Sequence, residues 1–333
     1  MKKPWLSFCM STYRRPDFLR KTLHSILRQT FTDFEVIVSD NDPERSAEAV
    51  VREVNDPRIR YFSNGENLGM IRSFNKSIER SHADYIIMIT DDDPVYADAL
   101  DTFHRVHSQF PGYGMYLGGC DWFCTHPAVS KLYRLKVGTN SCLSDEYELN
   151  YTKALTAAEF LQLFFTLKLF THYLWSTCMV SREILLKAGG VPDYGTPFLG
   201  DYAYLGIIGS YGGCVFINKS LGCQTMHLQN FGRNQNEQIA VAARNFPGYV
   251  ESNMAKMDEW PAIKKLVDRF TALWVVSHMA FLYKYVKDVD IRPTEKEVFK
   301  IELMRPYWFK YYMKTRFPFI HDWIVGIKRS LTK

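Results

Sequence analysis

Tyr85-Ile86-Ile87-Met88-Ile89-Thr90-Asp91-Asp92-Asp93 is the stretch that decides how this chain folds. Its first six residues are bulky and rich in β-branched side chains. The run is too short for a buried helix and is predicted to be a buried strand. Three adjacent carboxylates repel one another unless something cationic lies among them. Open α/β sheets bind their ligands at the carboxyl edge of the strands. Hard carboxylate oxygens at that edge suit Mg²⁺ or Mn²⁺, ions that share their shell with phosphate oxygens. An acidic turn capping the next helix is the competing reading, because Asp favours N-caps.

The flanking sequence repeats the pattern. Residues 6–10 are a short apolar run, and Ser11-Thr12-Tyr13-Arg14-Arg15-Pro16 follows as a polar turn. Phe18, Leu19, Leu23, Ile26 and Leu27 are then spaced for one face of a helix. Residues 34–38 read as a second strand, ending in Ser39-Asp40-Asn41-Asp42. Residues 59–62 read as a third, followed by Asn64-Gly65-Glu66-Asn67-Leu68-Gly69 and another helix. Strands alternating with helices imply a parallel sheet with right-handed crossovers. No Gly-x-Gly-x-x-Gly follows the first strand and no Gly-Lys-Ser/Thr loop occurs. This argues against a dinucleotide fingerprint and a P-loop, and leaves a metal to hold phosphates.

The motifs in residues 11–16, the run from Ser25 to Asn41, Asn67-Leu68-Gly69 and Thr90-Asp91-Asp92-Asp93 together resemble the nucleotide-sugar domain of glycosyltransferase family 2. The resemblance spans roughly residues 4–230. It implies a GT-A fold: a single sheet of mostly parallel strands flanked by helices. It further implies an inverting, metal-dependent enzyme of hexosyltransferase type using Mn²⁺ or Mg²⁺. The donor is a nucleotide-diphosphate sugar, with UDP-sugar favoured and dTDP-, GDP- or CDP-sugar open. The acceptor is a saccharide or lipid-linked saccharide, in O-antigen, capsule or other surface-polysaccharide synthesis. On this reading residues 1–232 form the GT-A domain, with a nucleotide-sugar half to about 115 and an acceptor half after it. Residues 233–333 form a helical C-terminal extension.

The resemblance also assigns residues. Ser11 and Tyr13 are placed at the nucleotide base, although Tyr13 also suits a core. Asp40 and Asn41 end the second strand, where family members often carry two aspartates. The amide of Asn41 can donate or accept, which keeps uracil and thymine open. Asn67 and Gly69 match an Asn-x-Gly element, and their types also suit a simple turn. Asn75 matches a later asparagine. The arginine usual before it is Phe74 here, and Arg72 lies on another helical face. Asp91 and Asp92 are placed at the nucleotide sugar, with Asp92, Asp93 and His227 at the metal. The family's arginine three residues before that histidine is Gln224 here.

The middle of the chain carries the acceptor side. Residues 174–180 are predicted as a strand, 182–188 as a helix and 195–200 as a loop, with Asp201 opening a helix to about 209. Asp201 is either a first-turn acid that favours the helix dipole or a general base. The preceding Gly200 matches the family's Gly-Asp form of the base motif. A sugar hydroxyl is a poor nucleophile, and a positioned carboxylate takes its proton as attack proceeds. Trp175 is placed on the acceptor side.

Composition sets bounds. A chain of 333 residues with 47% hydrophobic content can bury a large core. Net charge is +5, with no arginine-rich tract or zinc-finger spacing, so nucleic acid is not expected. Seven cysteines without Cys-x-x-Cys pairing read as free thiols in a reducing compartment. No apolar leader precedes the first strand, and the apolar run 272–283 is too short to span a membrane. A cytoplasmic location is expected, with peripheral contact at the inner face of the cell membrane. Residues 235–257 and 263–286 read as helices. Residues 305–333 combine Trp308, Tyr311, Tyr312 and Trp323 with lysine and arginine. They suit either packing on the core or an interfacial membrane patch. Two rival classes are a metal-dependent nucleotidyltransferase and a non-catalytic carbohydrate-binding protein on the same fold.

Overall fold

The computed structural model describes residues 3–227, 236–286 and 290–318. The chain forms two compact units. One comprises residues up to Asp193 together with Gly200–His227, and the other Tyr194–Leu199 together with the residues after 227.

The first unit is built on one nine-stranded sheet. Its first half alternates strand and helix: β1 (Leu6–Thr12), α1 (Pro16–Leu27), β2 (Phe34–Asp40), α2 (Glu48–Val54), β3 (Ile59–Ser63), α3 (Met70–Arg80) and β4 (Tyr85–Thr90). These four strands pair only in parallel with one another, in the order β3-β2-β1-β4. The continuous apolar runs make this inevitable. Phe8, Ile37, Ile87 and Ile89 are fully buried, so both sheet faces need cover, which crossover helices provide. Pro16 opens α1, where its fixed φ and missing N–H do no harm. Leu19, Leu23 and Ile26 bury one helical face as the spacing predicts.

The second half is mixed. It comprises α4 (Ala99–Gln109), β5 (Met115–Cys124), α5 (Pro127–Tyr133), β6 (Gly138–Ser141), β7 (Thr152–Leu155), α6 (Ala157–Phe165), β8 (Cys178–Ser181), α7 (Arg182–Lys187), α8 (Gly200–Ser210) and β9 (Cys214–Met226). The sheet continues β8-β5-β9-β7, with β6 on β5. β5 and β9 are parallel, whereas β8 runs antiparallel to both β4 and β5. The sheet is therefore parallel through β4 and mixed beyond it. The strand predicted over 174–180 is corrected. Trp175–Thr177 is a 3₁₀ turn, and the strand starts at Cys178. Thr177 bends the chain there, its hydroxyl donating to Leu174 O at 3.0 Å and to Gly118 O at 3.2 Å.

The second unit holds α9 (Gln238–Met254), α10 (Trp260–Tyr285), α11 (Arg292–Val298) and α12 (Trp308–Arg316). It also claims the strap Tyr194–Leu199. Asn245 Nδ2 donates to Tyr194 O at 2.9 Å, and the Phe198 ring stands edge-on to Trp274 and His278. No helix among the described residues is long and apolar enough to cross a membrane. All seven cysteines are buried free thiols. Of the patch at 305–333, residues 319–333 lie outside the described residues.

Candidate functional site

Strand register builds one edge. β1 pairs Ser11 with Ser39 on one side and Thr90 on the other, and Thr12 with Asp40. The polar residues that end β1, β2 and β4 therefore stand side by side, at the edge where α/β sheets take ligands.

On the β2 side the polar groups are spent on one another. Ser11 Oγ donates to Ser73 Oγ at 2.8 Å, and Arg80 reaches Asn64 Oδ1 at 3.0 Å. Asp40 is fully buried. Its carboxylate accepts from Asp42 N at 3.0 Å, Ala47 N at 3.1 Å and the Tyr61 hydroxyl at 2.9 Å. It anchors the loop after β2. Asn41 lies beneath the loop before α3. Its Nδ2 donates to Asn67 Oδ1 at 2.7 Å and its Oδ1 accepts from Leu68 N at 2.9 Å. Asn67 Oδ1 also accepts from Gly69 N at 3.0 Å. Gly69 takes φ +78°, which favours glycine. Asn67 and Gly69 are exposed, so this loop presents a shaped rim. Tyr13 is 40% exposed, with the Arg14 guanidinium 5.3 Å from its ring centre. Its ring is a surface group, not a core one.

The three aspartates point in different directions. Asp91 accepts from Thr12 Oγ1 at 2.7 Å. Asp93 is buried and turned inward. It accepts from Thr90 Oγ1 at 2.8 Å and from Thr225 N at 2.9 Å. Asp92 meets two partners, Arg15 Nη1 at 2.8 Å and the His227 imidazole Nε2 at 3.1 Å. Arg15 also touches Asp91 at 3.4 Å. The electrostatics follow this geometry. Burial, then the charge of Asp92, pushes Asp91 up to about 6. The same two causes raise Asp93 well above the usual carboxylate range. Burial also acts on Asp92, but the His227 hydrogen bond and the Arg15 and His227 charges outweigh it and hold Asp92 low. One firmly ionised carboxylate thus stands between two that favour their protons.

His227 reaches this place because β9 is stitched to the acidic turn. Cys223 N donates to Pro94 O at 3.0 Å, and Tyr96 N to Leu221 O at 2.9 Å. Thr225 Oγ1 donates to Asp92 O. Gly222 permits this crossing, since a Cβ there would meet Pro94 O at 2.9 Å. Phe18 of α1 stacks on the imidazole, with ring centres 4.8 Å apart.

Asp92 and His227 offer one oxygen and one nitrogen to a divalent ion. Among the described residues no group of three or more His, Cys, Asp or Glu is arranged to hold one. Asp93 accepts one hydrogen bond on each of its oxygens, from Thr90 and from Thr225. The pair fits an ion that draws the rest of its shell from diphosphate oxygens and water, as Mg²⁺ and Mn²⁺ sites commonly do.

Asp201 sits in the first turn of α8. Burial alone pushes its carboxyl up to about 7, although the residue keeps some surface exposure. Its charge is felt at Asp93, so the base candidate and the acidic turn lie in one electrostatic neighbourhood. Trp175 is 5% exposed and packs edge-on to Phe74 and Tyr204, which makes it a wall rather than an open platform. Asn75 Oδ1 accepts from Val191 N at 2.8 Å and clasps the turn after α7. Arg72 is exposed. Arg15, Thr12, Phe18 and Thr225 were not assigned from sequence. A guanidinium in the first βα turn, facing three carboxylates, was the available signal for Arg15.

Residues 7–123 match the family described as Glycosyl transferase family 2. The chain is 31% identical over 120 residues to the GalNAc(5)-diNAcBac-PP-undecaprenol beta-1,3-glucosyltransferase of Campylobacter jejuni, covering 35% of this chain and 38% of that one. The chain thus spans well under half the length of that relative. Among solved structures, S. aureus TarS 1-349 in complex with UDP-GlcNAc is similar with a TM-score of 0.59 at 13% identity, covering 94% of this chain and 90% of that one. The mannosyltransferase PcManGT from Pyrobaculum calidifontis, in complex with GDP-Man and Mn2+, gives 0.51 at 12% identity, covering 96% and 88%. These likenesses show a shared fold.

Proposed function

From the match of residues 7–123 to glycosyl transferase family 2, we propose that this chain transfers a sugar from a nucleotide-diphosphate donor to a saccharide or lipid-linked hydroxyl in surface-polysaccharide synthesis, with inversion. The observation that carries the proposal is the convergence of Arg15, Asp92 and His227 at the sheet's carboxyl edge. A leaving diphosphate gathers negative charge, which the Arg15 guanidinium and an ion held beside it would stabilise. Asp92 and His227 would hold a divalent ion, which neutralises phosphate charge when bound. Arg15 swings its guanidinium from the carboxylates to the phosphates. Tyr13 stacks on the base, and Asn41 shapes the Asn67–Gly69 rim that contacts the nucleoside. Asp201 takes the proton of the acceptor hydroxyl as that oxygen attacks the anomeric carbon from the face opposite the leaving group. A carboxyl near 7 is matched to that task at neutral pH. A single displacement inverts the configuration, so no covalent sugar intermediate is needed.

A UDP-sugar is the favoured donor, supported by the TarS likeness with its bound UDP-GlcNAc. Mn²⁺ is supported by the archaeal likeness. Arg14 speaks against the nucleotidyltransferase alternative, since it is tied to Asp42 at 3.1 Å and Glu44 at 2.9 Å. Peripheral contact with an anionic inner leaflet completes the proposal. Residues 305–318 carry Arg305, Lys310, Lys314 and Arg316 and no acid, and α12 leaves Trp308 and Phe309 exposed. The deciding experiment is a panel of nucleotide sugars tested for thermal stabilisation with and without Mn²⁺, followed by turnover with whichever stabilises. Stabilisation by none, with or without Mn²⁺, would overturn the proposal.

A further inference from the structure

The loop between β3 and α3 is held by a chain of three side-chain amides that begins at an arginine. Arg80, the last residue of α3, donates from Nη1 to Asn64 Oδ1 at 3.0 Å and to Ser39 Oγ at 3.3 Å. Its guanidinium lies 4.9 Å from the centre of the Phe62 ring. Asn64 Nδ2 donates to Ser39 Oγ at 3.0 Å, to Ser73 Oγ at 3.2 Å and to Asn41 Oδ1 at 3.3 Å. Asn41 is buried, and its Nδ2 passes the chain on to Asn67 Oδ1 at 2.7 Å.

An amide can present either end, and its partners decide which. Here the deciding partners cannot reverse. A guanidinium carries donors and no acceptor, and a backbone N–H only donates. Arg80 therefore fixes Asn64 with its oxygen toward the arginine. Leu68 N, 2.9 Å from Asn41 Oδ1, and Gly69 N, 3.0 Å from Asn67 Oδ1, fix the other two. Every oxygen of the chain is thus taken by a protein donor. What remains at its end is Nδ2 of Asn67, on an exposed residue, with two N–H groups. Among the described residues these N–H groups donate to no protein acceptor.

We propose that Asn67 reads the base of the nucleotide donor with these N–H groups, and that the amide chain behind it sets the choice: a carbonyl edge, as in uracil or thymine, over the amino edge of cytosine or adenine. The inference rests on the reading of the Asn67–Gly69 rim as the nucleoside contact, and it gives that contact a polarity. A carbonyl on the base accepts from Nδ2. An amino group in the same place sets N–H against N–H and leaves both unpaired. Asn67 is then the residue that determines specificity, and Asn41 is a positioning residue that acts through it.

The test uses the full chain with Mn²⁺ and either UDP or CDP. The two ligands carry equal charge, so the ratio of their affinities in calorimetry reports the base alone. The parent should bind UDP tighter by about tenfold or more. Asn67→Asp keeps an oxygen for Asn41 and Gly69 and turns a second acceptor outward, so the ratio should reverse in favour of CDP. Asn67→Ala should bring UDP down to the affinity of CDP. Asn41→Ala leaves the Asn67 amide free to turn and should narrow the ratio. The Asn67 variants change an exposed side chain and keep the test intact if Asn41→Ala fails to fold. Equal affinity for UDP and CDP in the parent, or a ratio that Asn67→Asp leaves unchanged, would overturn the proposal. A folded Asn41→Ala protein with the parent ratio would overturn the part given to the amide chain. Binding of neither nucleotide by the parent would refute the nucleotide-sugar reading and the proposal with it, whereas the other outcomes refute the proposal alone.

Discussion

Replacing Asp201 with Asn should make the protein less active and more stable at once. The carboxyl is pushed by burial from 3.8 to about 7. If it must be ionised to accept a proton, the competent fraction climbs from about one-tenth at pH 6 to about nine-tenths at pH 8, and kcat should climb with it by about tenfold. Asp201→Asn should lose about 10²–10⁴ in kcat, flatten that limb and leave donor affinity unchanged. Stability moves the other way. The folded-state value lies above the unfolded one, so folding favours the protonated form. The contribution of this group is complete below about pH 4 and is lost as the pH rises through about 7. Three units correspond to about 4 kcal/mol, and partial exposure reduces that to about 2 kcal/mol. At pH 8 the Asn variant should therefore melt several degrees higher than the parent, and at pH 4 with it. Steady-state kinetics from pH 5.5 to 8.5 and parallel melts would show this. A flat kcat profile in the parent, or a variant that loses donor affinity as fast as kcat, would refute the reasoning.

Four further outcomes can be checked. Asp92→Asn should abolish transfer and Mn²⁺-dependent UDP binding while circular dichroism shows the fold intact; near-normal turnover would remove Asp92 from the site. Arg15→Ala should weaken UDP binding in calorimetry and lower stability by about 1 kcal/mol, since the guanidinium it removes is partly exposed. Gly222→Ala should force β9 from Pro94, with a loss of about 1–3 kcal/mol in chemical denaturation and a fall in activity. Trp308→Ser with Phe309→Ser should reduce flotation with anionic vesicles and leave flotation with neutral ones unchanged. These point changes are preferable to truncation before α12, because Tyr311 is buried and its hydroxyl donates to Glu295.

The parallel half of the sheet was legible because each strand is an unbroken apolar run that only burial on both faces explains. Tyr85–Thr90 and Phe34–Asp40 fell where expected for that reason. The mixed half was not, since antiparallel partners such as β8 are short and set by contacts far along the chain. The start of the run at 174–180 misled because Leu174 and Trp175 are as apolar in a buried turn as in a buried strand. The acidic run announced a site, but its spacing could not show which carboxylate turns inward. That choice depends on Thr225, 132 residues away. Asp40 and Asn41 also hold the loops that follow β2 and precede α3, contacts that their residue types alone did not announce. The strap was invisible, because nothing local marks six residues as belonging to helices that follow later.

The pairing of Asp92 with Arg15 and with His227 also has a bearing on how the chain emerges from the ribosome. Arg15 precedes Asp92 by 77 residues and is made before it, whereas His227 follows by 135. Chains lengthen by about 5–20 residues per second, so the acidic turn waits several seconds or more for its imidazole. In that order of synthesis Arg15 is the partner already made when the acidic turn emerges, and His227 is the one still to come.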